Sequence, residues 1–374
     1  MYIRPVETRR PRRWRWLLPA LLLALGLWYV RVQNPGLLDL VTGQGRPTAT
    51  PTRVSSRDRL AAAEEYFLRG SVNEAMAEYR QIIEMEPGNS TAHARLGRLL
   101  TLRGHLAEGL SMAQRAVELD SQNAENQSIL GMVLDWNGDF DPAIQACLKA
   151  IDLDPNYATA YAYLAEAYAD KGRLDRALQM ADKALSLEPD NYYARRNKGY
   201  VLERQGDYQS SANEYIEAIA LQPNLVYVHL SLGRVYRAAG DSDGAIAQYE
   251  TAISVDPYDA TAYDSLGQVY LERHEYDEAT AYLKKATEAD PDYANAYGHL
   301  GWCYYAQRRY EDAIPQLEKA IALGAEAVET YYGLGLSYVY INDCTNARPW
   351  LEKALELDPT AQPALQGLRE CEKQ

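Results

Sequence analysis

Apolar and small residues recur along this chain with a helical spacing that restarts every 34 residues. In units cut at Ser56 and every 34 residues thereafter, they occupy positions 4, 7, 8 and 11, and then positions 17, 20, 24 and 27. Spacings of three and four place such residues on one face of a helix, so each unit is predicted to hold two amphipathic helices. Nine units follow one another without an insertion over residues 56–361. The pattern therefore predicts an all-α array of nine helical hairpins.

Proline and glycine mark the ends of the predicted helices. A proline follows the second helix of most units, at Pro87, Pro155, Pro189, Pro223, Pro257, Pro291 and Pro359. Since proline cannot continue a helix, it indicates where that helix stops. The turn inside a unit is indicated by Gly70, Gly104, Gly138, Gly172, Gly206 and Gly240. His274, Arg308 and Asn342 replace this glycine in the last three units.

Two positions of the unit hold small residues throughout. Position 8 is alanine or glycine in all nine units, and position 20 is alanine, glycine or serine. Glycine inside a helix costs about 1 kcal/mol relative to alanine, so its recurrence indicates that two helix backbones approach closely. Positions 8 and 20 are therefore predicted to face each other.

This arrangement of small, aromatic and proline positions resembles the tetratricopeptide repeat family over residues 56–361. The resemblance implies a right-handed superhelical solenoid of helix-turn-helix repeats, in which the first helix of each pair lines a concave groove. Residues 362–374 would then form a C-terminal capping helix.

The first 55 residues do not follow the repeat. Residues 1–15 contain six arginines, and residues 16–30 form an apolar run. Fifteen helical residues span about 22 Å, less than the roughly 30 Å of a bilayer core, so a cleaved signal peptide is the alternative to a transmembrane anchor. We predict an uncleaved anchor, because no small-residue cleavage motif ends the run and flanking tryptophan and arginine side chains extend its reach.

Charge predicts the orientation of this anchor. A short arginine-rich end tends to stay cytoplasmic, so the repeats are expected to be extracytoplasmic, and residues 31–55, with their prolines and threonines, to form a tether. Ten arginines and three acids give residues 1–58 a net charge of +7, and the whole-chain value of −14 leaves −21 for the remainder. Such an acidic repeat domain is not expected to bind nucleic acid.

The four cysteines include one pair whose spacing predicts a disulfide. Cys344 occupies position 17 of the ninth unit, and Cys371 would fall at position 10 of a tenth. Pro359 lies about midway between them, so antiparallel helices joined there would place the two cysteines side by side. We predict a Cys344–Cys371 disulfide that holds the final helix on the array, with two free thiols as the alternative. Cys147 and Cys303 are predicted to be buried in packing contacts.

Sequence motifs typical of enzymes are missing. The chain contains no phosphate-binding glycine loop, no paired-histidine zinc motif and no cysteine cluster with metal spacing. We therefore expect a protein that is not an enzyme and that uses no cofactor or metal.

The groove positions of the family, 2, 5, 9, 12 and 13 of the first helix, vary along this chain. In the fifth and sixth units they form a basic and aromatic patch of Tyr193, Arg196, Tyr200, Arg204, Tyr227, Arg234 and Arg237. Because arginine pairs with carboxylates and stacks on tyrosine, the patch is predicted to bind an acidic peptide, a chain terminus or an anionic glycan. The alternative is pairing within the chain to Glu166, Asp170, Glu203 or Asp264.

In the eighth and ninth units the same positions are mostly apolar, with Trp302, Tyr305, Tyr332, Leu336 and Tyr340. A concave apolar surface is typical of a binding site, with partial coverage by the capping helix as the alternative. These features predict a membrane-anchored, non-catalytic scaffold that binds a protein or peptide partner in its groove. An accessory factor for the assembly or export of cell-surface glycans, binding carbohydrate or the synthetic machinery, is the alternative function.

Overall fold

The computed structural model describes residues 55–373, which form nineteen α-helices in nine hairpins and one final helix. In chain order these are α1 Ser56–Leu68, α2 Val72–Met85, α3 Ser90–Leu102, α4 Leu106–Leu119, α5 Ala124–Trp136, α6 Phe140–Leu153, α7 Ala158–Asp170, α8 Leu174–Leu187, α9 Tyr192–Gln205, α10 Tyr208–Leu221, α11 Val226–Ala238, α12 Ser242–Val255, α13 Ala260–Glu272, α14 Tyr276–Ala289, α15 Ala294–Ala306, α16 Tyr310–Ala322, α17 Val328–Tyr340, α18 Cys344–Leu357 and α19 Gln362–Glu372. The odd-numbered helices α1–α17 are the first helices of the nine units.

Each first helix begins at the residue where the sequence period starts, and a side-chain cap helps to fix that start in several units. Asn89, Asn191 and Asp259 each accept a hydrogen bond from the backbone N–H three residues later, at 3.0, 2.9 and 2.9 Å. Such a cap satisfies one of the backbone donors that a helix leaves unpaired at its first turn.

The turns inside the units contain one residue in the left-handed backbone conformation. The six turn glycines have φ between 75° and 85°. His274, Arg308 and Asn342 adopt φ of 62°, 60° and 61° at the equivalent position, where a Cβ atom makes the conformation more costly than for glycine, although asparagine tolerates it better than arginine. The turn geometry is therefore kept in the last three units at a conformational cost.

Positions 8 and 20 of the unit lie against each other, as the sequence predicted. A Cβ atom added to Gly97 would come within 2.9 Å of the Gly109 carbonyl oxygen, and one added to Gly109 within 3.0 Å of the Gly97 carbonyl oxygen. In later units a large residue at position 24 covers position 8, as Tyr215 covers Gly199 and Leu317 covers Gly301. The core is therefore a continuous row of large side chains over small ones.

The final helix α19 packs on the ninth unit. Its Ala364 and Cys371 are buried with Leu351 and Leu336 of that unit, and Cys371 forms a disulfide with Cys344. Apolar side chains that would otherwise be exposed at the end of the array are thereby covered, which is the role of a capping helix in repeat proteins.

The predicted basic segment 1–15, the span 16–30 and nearly all of the tether 31–55 lie outside the described residues. Within residues 55–373, no helix is both long and apolar enough to cross a bilayer.

Two candidate binding surfaces

The basic and aromatic patch of the fifth and sixth units, here called the middle surface, comprises Tyr193, Arg196, Tyr200, Arg204, Tyr227, Arg234 and Arg237. Its side chains project from α9 and α11, and all four of its arginines pair with carboxylates on neighbouring first helices, Arg237 with Glu272 only at 3.9 Å. Arg196 pairs with Glu166 and Arg204 with Asp170, while Arg234 Nε donates to Glu203 Oε1 at 2.7 Å. Because the Arg196–Glu166 pair is buried, its charge is neutralised within the fold. The pairing within the chain that the sequence offered as an alternative is thus present in the structure.

The first two units cover part of the middle surface. The Arg98 guanidinium lies over the rings of Phe67, at 4.9 Å from the centroid, and of Tyr193, at 5.5 Å. Phe67 and Leu99 belong to one buried apolar cluster with Leu225 and other residues of the fifth and sixth units. The array therefore turns through its superhelix far enough for its beginning to contact its middle.

A buried ion pair, here called the clasp, joins the second unit to the turn between the sixth and seventh units. Arg103 Nη1 donates to Asp259 Oδ2 at 3.0 Å, and Nη2 donates to Asp256. The side chains of Arg103, Asp256 and Asp259 are 10%, 5% and 9% exposed. Burial raises the pKa of Asp259, and the Arg103 charge offsets part of that rise. The clasp is therefore a desolvated contact between residues that are distant in the sequence.

Burial under the first units changes the interpretation of the middle surface. It raises the pKa of the Tyr193 and Tyr227 phenols, so both stay neutral. Tyr193, Arg196 and Tyr227 line a small internal void, and the Tyr193 and Tyr227 hydroxyls have no hydrogen-bond partner among the described residues. Arg196 is buried, and the Tyr193 and Tyr227 side chains are only partly exposed with their hydroxyls closed off from solvent, so these three residues are less open to a macromolecular partner than the sequence predicted.

Asp135 is a buried carboxylate near the middle surface that the sequence did not single out. The side chain within hydrogen-bonding reach of its carboxyl group is another acid, Asp170. Burial, followed by the charges of Glu166 and Asp170, raises its pKa from 3.8 to about 9. Asp135 is therefore protonated at neutral pH.

The aromatic residues of the eighth and ninth units, here called the C-terminal surface, are Trp302, Tyr305, Tyr332 and Tyr340. The Trp302 and Tyr305 rings stack at 4.9 Å with planes 3° apart, and Tyr332 meets Trp302 edge-on at 5.7 Å. Tyr340 stacks on Tyr310 and is 51% exposed. The stacking holds these rings in fixed positions while leaving them within reach of solvent.

Leu336 does not belong to this surface, contrary to the sequence prediction. It is buried against α19, where a Cβ added to Gly367 would lie 2.9 Å from Leu336 Cδ2. The capping helix α19 covers this groove position because no tenth unit follows the ninth to bury its apolar face.

A cavity of about 240 Å³ adjoins the C-terminal surface. Trp302 and His299 line it, and His299 Nδ1 lies 2.7 Å from Asp264 Oδ1. Desolvation lowers the pKa of His299, but the Asp264 carboxylate more than offsets it, so the pKa is raised overall. Gln268 Nε2 donates to the other Asp264 oxygen at 2.9 Å, which fixes the carboxylate in place. The imidazole is thus held in one orientation at the cavity wall.

No group of three or more His, Cys, Asp or Glu side chains in residues 55–373 is placed to hold a metal ion.

Comparison with known families agrees with the helical geometry. The tetratricopeptide repeat family matches residues 60–124, 164–225, 265–328 and 300–362, and further descriptions of the same repeat match residues 124–157, 146–179 and 233–273. The chain therefore belongs to the tetratricopeptide repeat family, as the sequence predicted. No curated protein matches this sequence.

Solved structures share the fold. A chain of the APC/C hetero-tetramer Cut9–Hcn1 superposes with a TM-score of 0.62 over 80% of this chain at 17% identity, and the match spans 59% of that chain. MamA is 32% identical over 43% of this chain and 95% of its own, with a TM-score of 0.36. A thermophilic tetratricopeptide repeat protein of Thermus thermophilus is 24% identical over 49% of this chain and 99% of its own, with a TM-score of 0.44.

Proposed function

We propose that this protein is a membrane-anchored, non-catalytic scaffold that binds an extended segment of a protein partner on the C-terminal surface. The observation that carries the proposal is the aromatic row on the concave side of the last two units, in which Trp302, Tyr305 and Tyr332 are half-buried and Tyr340 is exposed. Tyrosine and tryptophan dominate the binding energy of protein interfaces because they bury a large area at a small entropic cost.

The rest of the concave side supports this choice of site. The first two units cover part of the middle surface, and its arginines pair with acids of the same chain. The aromatic rings of the C-terminal surface are positioned mainly by one another, so a partner could contact them without breaking an ion pair. Tetratricopeptide repeats in general bind proteins, and the matched chain of similar fold is part of the Cut9–Hcn1 hetero-tetramer.

The membrane anchor in this proposal is the apolar run 16–30, with the arginine-rich segment 1–15 on the cytoplasmic side and the repeats outside. A tether of about 25 residues would hold the array at the membrane. The expected partner is therefore a membrane or envelope protein with an extracytoplasmic segment.

The test is site-specific crosslinking in native membranes. A photo-crosslinking residue at position 340 should give one dominant protein adduct, and a second substitution, Tyr332→Ser, should reduce its yield at least about tenfold. Tyr258→Ser is the matched control, because Tyr258 is 68% exposed on a turn away from this surface and its loss should leave the adduct unchanged.

Two outcomes would overturn the proposal. A crosslink yield that Tyr332→Ser does not reduce would show that the C-terminal surface does not bind the partner. Loss of the adduct after glycosidase treatment of the membranes would instead favour carbohydrate as the ligand.

A further inference from the structure

A chamber of about 420 Å³ lies on the concave side of the sixth and seventh units, apart from the C-terminal surface. Arg234, Arg237 and Tyr227 form one wall, and Thr101 and Leu106 of the second unit form another. The two walls meet because the array closes on itself through the clasp. The chamber is thus built by two parts of the chain that are far apart in sequence.

The chamber wall is rich in hydrogen-bond donors and poor in negative charge. Arg196, Arg234 and Arg237 all line it, together with serine, threonine and tyrosine hydroxyls, whereas none of the described residues that line it is a carboxylate. This concentration of arginine stands out in a chain whose net charge is −14. Such a lining favours a ligand that carries negative charge.

The arginines keep donor atoms available towards the chamber. Arg234 uses Nε and Nη2 on Glu203, at 2.7 and 3.0 Å, so Nη1 makes no hydrogen bond to the described residues. Arg237 Nη1 donates to the neutral Gln268 at 2.9 Å, and its contact with Glu272, at 3.9 Å, is longer than a hydrogen bond. Arg237 is therefore only weakly neutralised by the protein.

Two further donors at the wall are buried and have no partner among the described residues. They are Arg196 Nε and the Tyr227 hydroxyl, and the whole Arg196 residue is 6% exposed. Both atoms are closed off from solvent and belong to residues that also line the small internal void described above, so the donors that the chamber offers to a ligand are those of Arg234 and Arg237. Water reaches the site, since the Arg234 and Arg237 side chains are 42% and 27% exposed.

We propose that this chamber binds a small molecule through an oxyanion, either carboxylate or phosphate, held by Arg234 and Arg237. The volume lies within the range of about 300–1,000 Å³ that is usual for small-molecule sites. The wall formed by the second unit limits the space to a small ligand, because a helix or a folded segment does not fit without opening the clasp. The site is independent of the C-terminal surface and of the scaffold function proposed for it.

The test is calorimetric titration of the full-length protein in detergent with inorganic phosphate and, separately, with succinate, both at constant ionic strength set with sodium chloride. Saturable binding of at least one probe is expected, and the stronger probe identifies the oxyanion. Arg237→Gln should weaken binding of the stronger probe at least about tenfold, since hydrogen bonds to charged groups are stronger than those between neutral groups. Arg237→Lys keeps the charge but loses the planar fork, so it should bind several-fold more weakly than the wild type.

Two controls separate this site from general effects. Arg115 is half exposed on the outer surface and lies outside the chamber. Arg115→Gln should therefore leave the affinity for the probe unchanged. Trp302→Ala should also leave the affinity for the probe unchanged, while it reduces crosslinking of the partner at position 340. Failure of the small-molecule proposal can therefore be told apart from failure of the scaffold proposal. Circular dichroism establishes whether each variant is folded. If Arg237→Gln does not fold, the affinity of Arg237→Lys decides the outcome.

The proposal is overturned if neither probe binds saturably to the wild type. It is also overturned if Arg237→Gln and Arg115→Gln bind the stronger probe equally well.

Discussion

Removal of Arg103 is expected to open the contact between the second unit and the turn that joins the sixth and seventh units. The substitution Arg103→Met keeps the apolar stem of the side chain and deletes both hydrogen bonds of the clasp. Asp256 and Asp259 then remain as two buried carboxylates without a counter-charge. Asp259 cannot turn away freely, because its Oδ1 accepts the capping hydrogen bond from the Ala262 N–H at 2.9 Å.

The magnitude follows from the burial of all three side chains. Removing one partner of a buried ion pair costs about 3–5 kcal/mol, because the remaining charge is left desolvated. The apolar contacts of Phe67 and Leu99 with the fifth and sixth units do not depend on the clasp, so we expect a value near the lower limit, about 3 kcal/mol. This corresponds to roughly a hundredfold change in the equilibrium between the closed and open arrays.

Hydrogen exchange measured by mass spectrometry is the assay, since it resolves opening of one region from global unfolding. Amides of α1–α4 should exchange about a hundredfold faster in Arg103→Met, whereas those of α15–α18 should not change. Arg115→Met is the matched control, because the exposed Arg115–Glu118 pair contributes at most about 1 kcal/mol. Adding Asp256→Asn and Asp259→Asn to Arg103→Met should recover much of the loss, since no buried charge then remains.

The reasoning is refuted if α1–α4 exchange at the same rate in Arg103→Met, Arg115→Met and the wild type. In that case the clasp is not formed in solution, and the first units contact the middle of the array through the apolar cluster alone.

Three further predictions concern single features of the fold. Reduction of the Cys344–Cys371 disulfide should destabilise the docking of α19 by about 3 kcal/mol, because its sequence separation of 27 closes a sizeable loop; non-reducing peptide mapping that recovers both thiols free would contradict it. Asp135→Asn should raise the free energy of unfolding at pH 8 and change it little at pH 4. The raised pKa, about 9 in the folded state against 3.8, means that folding takes up a proton, so wild-type stability falls as the pH rises between these values; an equal melting-temperature difference at both pH values would count against this. Arg308→Gly should raise the stability by about 0.5–1 kcal/mol, because Arg308 has φ of 60°. Asn342→Gly should gain less in the same denaturation experiment, since asparagine tolerates this conformation better than arginine.

The local structure could be predicted from the sequence because its signals repeat. Nine copies of the same spacing give nine independent indications of where a helix starts, and the structure starts the first helices at those residues. The close approach at Gly97 and Gly109 was predictable for a similar reason, since a repeated small residue in a helix has few other physical explanations.

The closure of the array could not be predicted in this way. The path of a solenoid depends on a small rotation between neighbouring units, and small differences accumulate over several units. The clasp residues also carry no distinct signal. Asp259 stands where other units have a helix-capping residue, and Asp256 stands where acids recur, so each has a sufficient local explanation. Only the three-dimensional path shows that Arg103 meets both of them.

The middle surface shows how this limit affects the prediction of function. Arg196 and Arg234 differ from the residues at equivalent positions of most units, which is the usual indication of a ligand site in a repeat protein. Their carboxylate partners, Glu166 and Glu203, lie 30 and 31 residues earlier, on the neighbouring first helix. Since that separation is close to one repeat length, an acid one unit earlier is a signal that sequence analysis could apply to similar arrays.

Closure also changes how the array is stabilised. In an open solenoid each unit contacts only its neighbours, so stability is approximately a sum of local terms and the ends fray first. Here the first units make an additional contact with the middle units through Arg103 and the apolar cluster that contains Phe67. Fraying of α1–α4 must break that contact, so the beginning of the array is held by more than its neighbour. The other end is held by α19 and its disulfide, so the C-terminal surface lies between two regions that are stabilised by contacts beyond those of neighbouring units.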